Sequence, residues 1–226
     1  MKICIIGTGY VGLVTGASFA DLGNSVWCVD NNREKIDLLN SNQVPFFEPG
    51  LEELVSKNFS SSRLKFTTNL KLAVRNSDII FICVGTPTSK KSSSADLRHV
   101  FKVATEVSKY INRFKIIVTK STVPVTTGDK IEKLISNKKR KKLFAVVSNP
   151  EFLREGEAIR DFRFPDRIIV GSNNKKVTKT LESLYDPLIK KGAEFFSTNR
   201  RGAELIKYAS NAFLATKISY INELAN

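Results

Sequence analysis

The sequence is poor in the residues that build metal centres and disulfide frameworks. It holds a single histidine, His99, and three cysteines, Cys4, Cys28 and Cys83. None of the cysteines belongs to a C-x-x-C pair or has a histidine nearby, so no zinc or other metal site is expected. Each sits in or at the end of a strand-like apolar run, which fits buried structural thiols in a reducing compartment. Long hydrophobic runs are missing as well. No stretch approaches membrane-spanning length, and the apolar run in "MKICIIGTGYVG" is too short for a signal peptide and leads straight into a motif. The expected location is the cytoplasm, with no membrane partner. There is no internal repeat, and the one low-complexity patch, "TSKKSSSAD" from Thr88 to Asp96, reads as a mobile surface loop.

Acidic residues are scarce beside basic ones, 22 against 36, giving a net charge of +14. Such an excess raises the question of nucleic acid. The densest basic cluster is "NKKRKK", Asn137 to Lys142; the pairs Lys90-Lys91, Lys175-Lys176, Lys190-Lys191 and Arg200-Arg201 lie scattered along the chain. Scatter fits a solvated surface, and no nucleic-acid motif accompanies it, so no nucleic-acid partner is expected. Attraction of a small anionic substrate remains compatible with the charge.

A chain of 226 residues, 42% of them hydrophobic, is long enough to bury a real core. Short β-branched runs alternate with longer amphipathic stretches, the pattern of βαβ units around a mostly parallel sheet. Strands are predicted at Lys2 to Ile6, Ser25 to Val29, Leu64 to Thr67, Asp78 to Val84, Lys115 to Thr119, Leu143 to Val147 and Arg167 to Gly171. The clearest helices are Val11 to Leu22, Ala95 to Ile111 and Arg201 to the end. That last helical pattern meets no glycine or proline terminator, so a natural protein is expected to continue past it.

"IIGTGYVG" sets Gly7, Gly9 and Gly12 in G-x-G-x-x-G spacing after the first strand and at the mouth of a helix. Gly7 serves the tight turn, Gly9 close approach of a pyrophosphate, and Gly12 packing of helix on sheet, while the helix N-terminus offers free N–H groups to phosphate. The second strand ends in Asp30, where an acid accepts hydrogen bonds from the adenosine ribose. A carboxylate there repels a 2′-phosphate and favours NAD over NADP, although Arg33 could receive one. Asp30 could also cap the following helix.

Two further turns follow strands. "FICVGTPT" ends in Gly85, Thr86 and Pro87, and "TKSTVPVTTG" offers Ser121 and Thr122. Ligands of open α/β sheets bind beyond the carboxyl ends of the strands, so both turns should border a cofactor; both also fit ordinary hydroxyl-capped turns. "SNPEFLREG" places Glu151 and Glu155 four residues apart after a strand-ending proline. The pair reads either as an exposed helix start or as a functional pair. Lys207 and Asn211, also four apart, share one face of the last helix; most such lysines are simply exposed.

Taken in order, "KICIIGTGYVGLVTGASFADLGNSVWCVD", "PFFEPGLEELV", "SDIIFICVGTP", "KSTVPVTTG", "SNPEFLREGEAIRDFRFPDRIIVG" and "AELIKYASNAFLATKISYINELAN" resemble the UDP-glucose 6-dehydrogenase group of the UDP-glucose/GDP-mannose dehydrogenase family. "NPEFLREG" and "STVPV" are specific to that family; the glycine triplet is shared by many. The resemblance implies an α/β chain with a Rossmann-like, doubly wound, mostly parallel sheet followed by a long C-terminal helix. It divides the chain into an NAD-binding domain over 1–200 and the start of a linking, dimerising helix over 201–226. On that resemblance, the UDP-binding domain that follows in the family and supplies its catalytic cysteine is expected to lie outside this chain.

The implied activity oxidises the C6 hydroxyl of UDP-glucose to UDP-glucuronate with two NAD, through an aldehyde and a cysteine thioester. Cofactor contacts are implied for Gly7, Gly9, Tyr10, Val11, Gly12, Asp30 and Lys35. A second cofactor group comprises Gly85, Thr86, Pro87, Ser121, Thr122 and Glu155. Substrate contacts are implied for the loop residues Glu151, Phe152, Leu153, Arg154 and Glu155 and for Lys207 and Asn211. Within these, Thr122 positions a catalytic water, Glu151 acts as general base in thioester hydrolysis, and Lys207 with Asn211 stabilises negative charge at the C6 oxygen. Arg167 reads as an ion-pairing scaffold residue. The full-length protein is expected to be a homodimer, and this chain alone to be inactive. Related dehydrogenases of GDP-mannose or UDP-N-acetylhexosamines, and a catalytically silent NAD-binding module, are the alternatives.

Overall fold

A computed structural model describes residues 1–89, 94–136 and 142–225. The Lys90-Lys91 pair, most of the "NKKRKK" cluster and the middle of the "TSKKSSSAD" patch lie outside the described residues.

Six parallel strands form the body of the sheet: β1 (Lys2–Ile6), β2 (Ser25–Val29), β3 (Leu64–Thr67), β4 (Ile79–Ile82), β5 (Lys115–Thr119) and β6 (Phe144–Ser148). With β7 (Arg167–Gly171) and β8 (Glu194–Thr198) the order is β3-β2-β1-β4-β5-β6-β7-β8. The chain winds outward from β1 in one direction and then returns to wind the other way from β4. That reversal opens a crevice between β1 and β4 at the carboxyl edge, where ligands of doubly wound sheets bind. β7 and β8 run parallel to each other and join β6 through one antiparallel bridge, Ser148 to Gly171.

The strands read as continuous apolar runs because both faces of the sheet are covered. Ile3, Ile5, Ile79, Phe81, Ile116 and Val118 point into one core; Cys4, Ile6, Ile80, Ile82 and Ile117 point into the other. Each large side chain so buried stabilises by about 2 kcal/mol. The first core is covered by α1 (Tyr10–Asp21), α3 (Leu51–Ser60), α7 (Ala158–Arg163) and α8 (Lys175–Ile189). Phe19 of α1 stands at its centre, with ring centroids 5.2 Å from both Phe81 and Phe162 and 5.4 Å from Tyr185. The second core is covered by α4 (Leu70–Asn76), α5 (Arg98–Tyr110) and α6 (Thr127–Ile135). All three cysteines are buried.

The structure corrects several predicted elements. β8 is absent from the predicted strands, because its segment "EFFST" is an edge strand with Glu194, Phe196 and Ser197 exposed and carries no β-branched apolar run. β4 stops at Ile82 rather than Val84, although the Cys83 N–H still bonds the Ile6 carbonyl. α5 begins at Arg98, not Ala95, because Asp96 accepts from the Arg98 backbone N–H and holds the preceding residues in a turn.

The last helix, α9 (Arg200–Ala225), changes character along its length. Arg200, Ala203, Glu204 and Lys207 are buried against the sheet and α6, whereas every described residue from Asn211 onward is exposed. No helix among the described residues is long and apolar enough to cross a membrane.

Candidate active site

The turn after β1 is locked before any ligand arrives. Gly7 has φ +99, and a Cβ on it would stand 2.8 Å from the Cys83 carbonyl oxygen of the neighbouring strand. Gly12 faces back across the turn: a Cβ there would lie 1.9 Å from the Gly7 oxygen, which only glycine permits. Around Gly9 the space is open, with nothing within 4 Å of where a Cβ would project. Gly7 and Gly12 are thus demanded by the turn itself, and the backbone at Gly9 stands open at the N-terminus of α1.

Asp30 is fixed at the end of β2. Its Oδ2 accepts from the N–H and the hydroxyl of Thr8, both at 2.8 Å, and its Oδ1 accepts from the Asn32 N–H at 3.0 Å. Burial pushes its carboxyl up, but these hydrogen bonds, with Lys35 Nζ 3.7 Å away, outweigh it and hold the pKa below the usual carboxylate range. A carboxylate offers about four acceptor sites, so one remains open. The helix that follows, α2 (Arg33–Asn40), is capped by Asn32, so Asp30 is not its cap. Arg33 pairs with Asp37 at 3.8 Å.

The turns after β4 and β5 are laced together. Thr86 Oγ1 donates to the Thr122 carbonyl at 2.9 Å, and Ser121 Oγ donates to the Val84 carbonyl at 2.6 Å. Neither hydroxyl caps α6. That end is capped by Glu204 of α9, whose carboxylate accepts from the Thr126 and Gly128 N–H groups, each at 2.7 Å. Gly85 and Pro87 are exposed on the rim. Thr122 lines a small pocket with Pro150, Glu204 and Lys207.

The turn after β6 brings in the loop "NPEFLREG". Glu151 and Glu155 do not share a helix face, because the segment has no regular structure and α7 begins only at Ala158. Glu151 turns inward: its Oε1 pairs with Lys207 Nζ at 3.1 Å, and its Oε2 accepts from the Leu153 N–H at 2.6 Å. Lys207 Nζ also lies 5.0 Å from the centre of the Phe152 ring. Glu155 is exposed, as is Asn211 one turn beyond Lys207. The Arg154 guanidinium is engaged by Asp161 at 2.7 and 3.0 Å, so within this chain it staples the loop to α7. Among the described residues Arg167 has no ion-pair partner, and its guanidinium lies over the Phe152 ring at 4.6 Å.

Sequence reasoning missed Lys120, Asn149 and Tyr185. Lys120 is buried, with Nζ 3.4 Å from Asn149 Oδ1, and the Tyr185 hydroxyl donates to the same oxygen at 2.6 Å. Burial lowers the Lys120 pKa to about 8, against the opposing pull of Glu151. These side chains, with Glu151, Phe152 and Arg167, line a cleft of about 530 Å³. The one available signal was position, since Lys120 and Asn149 are the first residues past two neighbouring strand ends.

A glycine turn, an ionised aspartate and a carboxylate–ammonium pair therefore share one edge of the sheet. Residues 1–189 match the family model described as UDP-glucose/GDP-mannose dehydrogenase family, NAD binding domain, and residues 201–226 match that family's central domain. This chain belongs to the UDP-glucose/GDP-mannose dehydrogenase family. It is 50% identical over its whole length to a UDP-glucose 6-dehydrogenase of Rhizobium meliloti and 49% identical to the UDP-glucose 6-dehydrogenase TuaD of Bacillus subtilis, covering 52% and 48% of those proteins. Among solved structures it resembles a GDP-mannose dehydrogenase of Pseudomonas aeruginosa, determined as a ternary complex (TM-score 0.93, 37% identity, 99% of this chain and 52% of that one). It also resembles a UDP-glucose dehydrogenase of Pyrobaculum islandicum (TM-score 0.92, 40% identity, 98% and 51%). The chain spans about half the length of the relatives it matches. NAD is the cofactor of the family domain, and the open backbone at Gly9 and the ionised Asp30 fit it.

Proposed function

We propose that this chain is the dinucleotide-binding part, 1–200, and the start of the linking helix, 201–226, of an NAD-dependent UDP-glucose 6-dehydrogenase. The observation that carries the reading is the Glu151–Lys207 pair, held at 3.1 Å on the edge of the sheet that bears the dinucleotide turn. NAD, when bound, accepts a hydride from C6 of the sugar in each of two oxidations. Gly7, Gly9 and Gly12 let Tyr10 and Val11 begin a helix against its pyrophosphate, and Asp30 with Lys35 holds the adenosine ribose. Gly85, Thr86, Pro87 and Ser121 form the wall beside it.

Phe152, Leu153 and Arg154 present the loop to the sugar, with Glu155 at its exposed end near both ligands. Lys207 donates to the C6 oxygen as negative charge develops there, and Asn211 completes that contact. Glu151 takes the proton of the water that hydrolyses the thioester, with Thr122 orienting that water. The thioester sulfur comes from outside this chain. Burial pushes the Cys83 thiol up to about 12 and raises those of Cys4 and Cys28 well above the ordinary thiol range, so none supplies a thiolate at neutral pH. The reduced, buried thiols suit the cytoplasm, and the exposed half of α9 suits a homodimer of the full-length protein.

The test is the yield of reduced NAD per sugar nucleotide, measured for the full-length protein with UDP-glucose, GDP-mannose and a UDP-N-acetylhexosamine. Two equivalents from UDP-glucose alone support the assignment. Two equivalents from another member of the panel instead would move the substrate, and NAD binding without reduction from any of them would leave only a cofactor-binding module. The 226-residue chain alone is expected to bind NAD and reduce none.

A further inference from the structure

The segment "PFFEPG" between α2 and α3 has no part in the chemistry above, yet its glutamate is buried. Glu48 is 5% exposed and takes three hydrogen bonds. Its Oε2 accepts from the Gly156 N–H at 2.8 Å, its Oε1 from the Ala158 N–H at 2.8 Å, and the Tyr10 hydroxyl lies 3.0 Å from Oε2. The same hydroxyl lies 2.5 Å from the Arg154 carbonyl oxygen. A phenol has one proton, so Tyr10 shares it between the two acceptors. Tyr10 is the first residue of α1, inside the glycine turn; Arg154 and Gly156 close the loop that carries Glu151. Three segments far apart in sequence thus meet on one carboxylate and one hydroxyl.

The Arg154–Asp161 and Glu151–Lys207 pairs hold the middle of the loop, whereas its end at Gly156 is held by Glu48. Gly156 has φ +86, and residues 151–154 form no regular structure. Charge-assisted bonds from two backbone amides to a buried carboxylate are strong and directional. They fix the end of the loop, and the Glu151 side chain is fixed within it.

We propose that Glu48 is the positioning residue of the 149–156 loop, and that through Tyr10 it sets that loop against the dinucleotide turn. The inference rests on the reading that this loop holds the sugar. Glutamine is nearly isosteric with glutamate but has one acceptor oxygen, so its NH₂ must face one of the two amides and leave that donor unpaired.

The experiment is residue-resolved amide exchange, by NMR, on the wild-type chain and on Glu48→Gln and Tyr10→Phe. Glu48→Gln is expected to speed exchange at Gly156 or Ala158 by about tenfold, roughly 1.4 kcal/mol, with Leu13 and Cys83 in the core unchanged. Tyr10→Phe is expected to speed the same amides about threefold, since it removes only the shared proton. Protection at Gly156 and Ala158 within twofold of wild type in Glu48→Gln would overturn the proposal. So would equal acceleration of every amide, if Tyr10→Phe then leaves the loop amides unchanged.

In the full-length protein Glu48→Gln is expected to raise KM for the sugar nucleotide about tenfold, with kcat and KM for NAD within twofold. Equal loss in both substrates would point to a merely structural role. The exchange measurement needs no substrate, so a wrong assignment of the sugar leaves it intact and is told apart from failure of the positioning role.

Discussion

The dinucleotide corner and the proposed sugar corner share one edge of the sheet but are built differently. The first is nearly complete within thirty residues: β1, its glycine turn, the first turn of α1 and Asp30, locked by Thr8 across 22 positions. The second draws on four segments. Glu151 meets Lys207 of α9, Glu204 of α9 caps α6 across 76 positions, and Glu48 reaches Gly156 across 108. A local device is rigid because its backbone has no room to move. A long-range device is rigid only while each distant carboxylate stays in place. Electrostatic pins therefore do for the sugar corner what close packing does for the dinucleotide corner.

The largest effect is expected at the packed corner. Gly12→Ala drives a methyl into the Gly7 carbonyl, where 1.9 Å is available. The turn must open, costing about 4 kcal/mol or more by overpacking and backbone strain. NAD titration followed by fluorescence should then show no saturable binding, with the denaturation midpoint lowered. Retained NAD affinity in Gly12→Ala would show that the turn yields, and the comparison would collapse.

The next effect belongs to the pinned corner. Glu204→Ala leaves the Thr126 and Gly128 N–H groups without their acceptor at the start of α6, at a cost of about 3 kcal/mol. Urea unfolding measures the loss. NAD affinity should stay within about threefold of wild type, because nothing in the glycine turn touches Glu204. A parallel loss of NAD binding would mean that the two corners are one cooperative unit.

The same contrast explains what could be read in advance. The glycine triplet, Asp30 and the six parallel strands announce themselves through spacing and apolar runs, because the physics that demands them acts between near neighbours. Glu48, Lys120 and Glu204 are surrounded by ordinary loop or helix sequence. Their burial follows from where the sheet order carries distant segments, and a charged residue in such a context reads as exposed. Glu151 and Lys207 were legible only through the family's motifs. Their spacing suggested helix faces, whereas the contact that matters runs between a loop and a helix. β8 escaped for a related reason, since an edge strand needs no apolar alternation to pair on one side.

Lys120 gives the finest probe of the pinned corner, because its charge is buried with little to compensate it. Burial holds its pKa in the folded chain at about 8, below the free value of 10.5. Below pH 8 both folded and unfolded states carry the proton, so the cost of burying the charge is felt in full. Between about 8 and 10.5 the unfolded state binds more protons than the folded one, and this group's contribution to stability rises with pH. Lys120→Met keeps the length and removes the charge. At pH 7 it is expected to be the more stable protein by about 2 kcal/mol, the advantage shrinking as pH passes from 8 to 10.5. The buried cysteines act in the opposite sense at high pH; Cys4 and Cys28 are common to both proteins and cancel in the difference, whereas Cys83, whose thiol the Lys120 charge draws down, is coupled to the lysine. Urea midpoints taken for the pair at each pH follow the lysine together with that coupling. A difference that stays flat across that range would place the Lys120 pKa near its ordinary value, and Glu151 would then hold the charge as firmly as it holds Lys207.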